Sequence, residues 1–73
     1  MYKYRRLYDL RRDSDHTQAD IAAILQISKQ QYSLYELGER EIPVHHLIRL
    51  ADYYQVSVDY LLGRTDVKDL PKG

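Results

Sequence analysis

Seventy-three residues, 8.7 kDa, hold one small domain with a modest core, too small for a catalytic apparatus with its own substrate cleft. Cys is absent, which excludes disulfides and thiolate zinc sites, while 44% hydrophobic and 30% charged residues argue against a disordered chain. Eleven Lys+Arg balance eleven Asp+Glu, so net charge alone does not favour a polyanionic partner, but the charges are unevenly spread.

Lys3, Arg5, Arg6, Arg11 and Arg12 against Asp9 make residues 1–12 net +4, and Asp13, Asp15 and Asp20 make residues 13–27 net −3. One face can therefore be positive in a neutral molecule. No apolar run approaches the ~18 residues of a membrane span, and the N-terminus lacks the apolar core of a signal peptide. The expectation is a soluble cytoplasmic protein.

Helical periodicity dominates. Tyr4, Leu7, Leu10 and Arg11 form one stripe of a first helix over roughly 3–13, ended by the turn residues Asp13, Ser14 and Asp15. Thr17 reads as the N-cap of a second helix over 18–25, with Asp20 in its first turn and Ile21, Ala22 and Leu25 on one face. Ser28 caps a third helix over 29–37, with Tyr32, Tyr35 and Glu36 turned inward and Gly38 at a left-handed C-terminal cap. Pro43 suits the first turn of a fourth helix, whose inward stripe reads Val44, Leu47, Ile48, Ala51 and Tyr54. Ser57 caps a short fifth helix over 58–62, closed by Gly63. These elements place the domain at residues 1–64 and leave 65–73, ending Pro71-Lys72-Gly73, as a frayed tail. The fold class is all-α, a compact five-helix bundle.

The second and third helices, joined by about three residues, have helix-turn-helix geometry, in which the second helix of the pair lies in a DNA major groove. Any small bundle contains such a turn, so the side chains carry the argument. Ser28, Lys29, Gln30, Gln31 and Ser33 open the third helix with hydrogen-bonding groups and no acid. Gln pairs with N6 and N7 of adenine, and Lys donates to O6 and N7 of guanine. The acids come later, at Glu36 and Glu39.

The segments Thr17-Gln18-Ala19-Asp20-Ile21-Ala22, Ser28-Lys29-Gln30-Gln31-Tyr32-Ser33 and Tyr35-Glu36-Leu37-Gly38-Glu39-Arg40, then Pro43, resemble the lambda-repressor/Cro-like (Xre-type) helix-turn-helix family. Leu47, Leu50-Ala51, Val56-Ser57-Val58-Asp59 and Leu61-Leu62-Gly63 extend the likeness over about residues 4–64. The resemblance implies a five-helix, sequence-specific, double-stranded DNA-binding domain of a dimeric bacterial or phage regulator. It implies that Gln18 grips a phosphate and that Lys29, Gln30 and Leu34 face base edges, with Ser28, Gln31 and Ser33 close by. It further implies that the segment after Gly38, including Arg40, meets phosphates through side chain and main-chain N–H, and that Arg11 pairs with Glu36 as a structural couple. The chain departs from the family pattern at Tyr32, Tyr35 and His16, the last standing where Leu is typical, and at Glu39 and Glu41, which flank Arg40.

The remaining features have plainer readings. The eight Tyr fall at helical spacings that favour packing over base stacking. The family resemblance implies a dimer-interface role for one or two of Tyr53, Tyr54 and Tyr60, which lie toward the C-terminal helices where family members dimerise. His45 and His46 are adjacent and His16 is distant, so no metal site is expected. No Ser/His/Asp set or Gly-rich phosphate loop appears, and no cofactor or small-molecule ligand is implied. The expected function is a homodimeric transcription repressor reading an imperfect palindrome. The alternative is an interaction module or antitoxin that keeps the fold with weak DNA binding.

Overall fold

The structure, a computed structural model, describes residues 4–68. Five helices follow in chain order: α1 (Arg5–Asp13), α2 (Gln18–Leu25), α3 (Lys29–Leu37), α4 (Val44–Tyr54) and α5 (Val58–Leu61). No strand occurs among the described residues.

Local chemistry sets the helix ends. Thr17 accepts from the Asp20 N–H while Asp20 accepts from the Thr17 N–H, a reciprocal capping box that starts α2. Ser28 and Ser57 accept from the N–H three residues on and start α3 and α5. Gly38, at φ 79°, ends α3 in the left-handed region that glycine enters without a Cβ clash. Gln26 and Gln55 take the same conformation, at φ 59° and 58°, to end α2 and α4. Helix α1 begins at Arg5, two residues later than its periodicity predicts, and Lys3 lies outside the described residues.

The core gathers Leu7 and Leu10 of α1, Ile21, Ala22 and Leu25 of α2, Tyr32 and Tyr35 of α3, Leu47, Leu50 and Ala51 of α4, and Leu61 of α5. Ile42 and Val56 seal it from the connections. The α4 stripe differs from the sequence reading. Val44 and Ile48 are 68% and 50% exposed, whereas His46 and Leu50 are buried with Leu47 and Ala51. The helix is rotated toward its His46 flank, where Arg49 Nε donates to the Ile24 carbonyl at 3.0 Å and draws that side onto α2.

The segment after α5 also departs from expectation. Arg6 Nη1 donates to the carbonyls of Tyr60 (3.2 Å) and Thr65 (3.0 Å), and Nη2 to Asp66 Oδ1 (2.9 Å). Its guanidinium lies 4.0 Å from the centroid of the Tyr60 ring. The Ser57 N–H donates to the Lys68 carbonyl at 3.0 Å. Residues 64–68 are thus tied to α1 and to the start of α5, while Pro71-Lys72-Gly73 lie outside the described residues.

Candidate nucleic-acid interface

Helix α3 is pinned to the core by Tyr32, Tyr35 and Glu36, all buried on one side. Its opposite side at the N-terminal end then faces solvent: Ser28, Lys29, Gln30 and Gln31 are exposed, and Ser33 and Leu34 are half-buried. A surface groove lined by Gln18, Lys29, Gln30, Ser33 and Leu34 brings together five of the eight residues predicted from sequence. None of its lining residues is acidic. Ser28 and Gln31 stand beside it on the first turn of α3, and Arg40 is exposed on the following loop.

Several of these groups carry structural duties. Ser28 Oγ accepts from the Gln31 N–H, and Gln31 Nε2 donates to the Tyr35 hydroxyl at 3.1 Å, which fixes the Gln31 amide against its own helix. Gln18 Nε2 donates to Glu36 Oε1 at 3.3 Å, leaving its second amide hydrogen directed elsewhere. The N–H groups of Gly38, Glu39 and Arg40 all donate to carbonyls at the end of α3. That cap commits the main-chain donors of residues 38–40, and the Arg40 side chain is exposed beside them.

Behind the groove lies a buried ion pair. Arg11 Nε and Nη2 donate to Glu36 Oε2 and Oε1 at 2.9 and 2.8 Å; the pair is the one the family resemblance implied, and its contact is bidentate. Arg11 Nη1 also reaches the His16 carbonyl at 3.1 Å. The hydrogen bonds to Glu36 raise the Arg11 pKa against the opposing effect of burial. Tyr32 and Tyr54 pack nearby with buried hydroxyls, and that of Tyr54 has no hydrogen-bond partner among the described residues. Burial, before the neighbouring Glu36 charge, pushes the Tyr32 phenol well above its ordinary range.

A second cleft adjoins the groove and shares Gln18 and Lys29 with it, adding Arg11, Arg12, Asp15, His16 and Thr17. His16 Nε2 sits 2.6 Å from the Tyr53 hydroxyl, and Nδ1 lies 3.9 Å from Asp20 Oδ2. The Thr17 backbone N–H, more than any other group, holds the Asp20 carboxyl below its ordinary range, with His16 a lesser cause. Sequence reasoning missed His16–Tyr53, which spans 37 residues and has no periodic signature. Among the described residues no group of three His, Cys, Asp or Glu side chains is arranged to hold a metal ion, and no helix is long and apolar enough to cross a membrane.

A family model described as helix-turn-helix matches residues 7–61, from Leu7 in α1 to Leu61 in α5. The chain belongs to the lambda-repressor/Cro-like helix-turn-helix family. This is a family of non-enzymatic, DNA-binding transcription regulators. The chain is 40% identical over 65 residues to the uncharacterized HTH-type transcriptional regulator YobD of Bacillus subtilis, covering 89% of this chain and 58% of YobD. It is 36% identical over 63 residues to the HTH-type transcriptional regulator ImmR of the same organism, covering 86% and 50%. It is 37% identical over 59 residues to the cryptic phage CTXphi transcriptional repressor RstR of Vibrio cholerae, covering 81% and 53%. The chain thus spans about half the length of these curated relatives. No solved structure matches it significantly.

Within the helix-turn-helix family, α2 and α3 are the paired helices. The groove lies at their junction.

Proposed function

We propose that this helix-turn-helix protein is a sequence-specific regulator of transcription, a repressor, that acts in the cytoplasm as a homodimer with α3 in the major groove. One observation carries the reading: the acid-free groove where Gln18 of α2 meets Lys29, Gln30, Ser33 and Leu34 of α3. Gln30 and Lys29 are exposed and supply the donors and acceptors that read base edges. Leu34 offers an apolar surface to a thymine methyl, while Gln18, Ser28, Gln31, Ser33 and Arg40 fix register through the backbone. The likeness to RstR, a transcriptional repressor, supports repression as the direction of control.

A dimer reads two half-sites whose centres lie about 10 bp apart, or a multiple of that, arranged as an imperfect palindrome. The test is selection of the purified protein against random duplex DNA, with sequencing of the bound pool. A paired half-site motif is the expected result. Binding without enrichment that vanishes as salt rises would leave only backbone electrostatics and overturn the specific reading.

A second reading has its own observation. Val44 and Ile48 stand one turn apart and exposed on α4, and the loop before them carries the acids Glu39 and Glu41. An interaction module or antitoxin would use such a surface for a protein partner, and failure of the selection would bring this reading forward.

A further inference from the structure

We propose that His16 is a proton-dependent binding residue of the candidate interface: the cleft it shares with Gln18 and Lys29 takes up a proton together with a DNA phosphate, so affinity for duplex DNA rises as pH falls. The inference rests on the DNA-binding reading and deepens it by adding a residue and a mode of regulation.

The His16 main-chain N–H donates to the Arg11 carbonyl and its own carbonyl accepts from Arg11 Nη1, so the end of α1 fixes the backbone. The ring is held between helices, with Nε2 against the Tyr53 hydroxyl of α4 and Nδ1 toward the Asp20 carboxylate of α2. Both ring nitrogens therefore face groups that accept a hydrogen bond. An imidazolium donates from both nitrogens, so protonation needs no rotation of the ring. Imidazole is also the side chain whose charge ordinarily changes between about pH 8 and pH 5.

The charges around the ring decide the effect on DNA. Asp20 and Asp15 place negative charge beside Gln18, at the first turn of α2, and oppose a phosphate there. Arg12 and Lys29 line the same cleft with positive charge, and Arg11 is committed to Glu36. A proton on His16 offsets Asp20 and tips this near-balance toward an anion.

The experiment measures binding to a fluorescein-labelled duplex of mixed sequence, chosen because a phosphate contact acts on every sequence alike. Wild-type protein should bind on the order of tenfold more tightly at about pH 5.5 than at about pH 7.5, with a log–log salt slope steeper by about one. His16→Gln should show neither change, and His45→Gln should retain both. In wild type, the NMR titration midpoint of the His16 ring should move upward when duplex is added, as reciprocity between proton and DNA requires. A His16→Gln protein with the wild-type pH response, or a His16 midpoint unmoved by DNA, overturns the proposal. Absence of binding at every pH overturns the DNA-binding reading beneath it.

Discussion

Gln30 and Gln18 test different parts of one interface. On the proposed reading, in which the exposed Gln30 amide meets a base edge, Gln30→Ala should cost about 1–3 kcal/mol on the preferred site and relax one base position. Equal loss on all sequences would show that it reads no base. Gln18→Ala should weaken binding uniformly; an altered base preference would contradict a phosphate role. Glu36 is fully buried, so Glu36→Ala strands Arg11 and should cost about 3–5 kcal/mol in denaturant unfolding. A loss below about 1 kcal/mol would mean that Arg11 finds water or another partner. Tyr54→Phe behaves oppositely. It removes a buried hydroxyl that has no partner, so stability should hold or rise by about 1 kcal/mol. The burial of Glu36 and the exposure of Gln30 were legible in the sequence because each follows from its place on one helix. The Gln18–Glu36 and His16–Tyr53 contacts were not, because they depend on how separate helices meet.

At the scale of the element, helix starts were the most legible feature. Thr17, Ser28 and Ser57 each supply the hydroxyl that local capping demands, and α2, α3 and α5 begin where those residues predict. Helix α4 was half legible. Its apolar residues are too many for one narrow stripe, so periodicity alone could not decide that Val44 and Ile48 turn outward while His46 turns in. Gln26 provides an element-scale test. It ends α2 at φ 59°, a conformation that costs a side-chain-bearing residue about 1 kcal/mol. Gln26→Gly should raise stability by roughly that amount without altering α3. An unchanged or lowered melting temperature would show that the glutamine side chain contributes as much as the strain removes.

For the molecule as a whole, pH acts on the fold through His46. Burial foremost, then the nearby His45 and Arg49 charges, holds its imidazole below the ordinary range. The unfolded chain takes up this proton near the ordinary pKa of about 6.5, and the folded chain only at lower pH. Between those points the unfolded state binds more protons, so this contribution is complete above about pH 6.5 and is lost as pH falls toward the folded value. The melting temperature should drop across that window in wild type and drop less in His46→Gln. Parallel curves for the two proteins would assign the slope to other groups. The Arg6 contacts are a second whole-molecule feature, joining residues 54 to 60 positions apart that no local pattern could connect.

The Glu36 carboxylate also bears on how this protein can vary. One buried group receives Arg11 from α1 and Gln18 from α2 while sitting on α3. Substitutions there disturb the assembly of three helices and the setting of an interface residue in the same stroke. If the chain represses transcription as proposed, a genetic screen for lost repression should therefore recover alleles at positions 11 and 36 as low-abundance proteins. Alleles at Lys29 and Gln30 should appear at normal abundance, and immunoblotting every recovered mutant would separate the two groups before any DNA is bound.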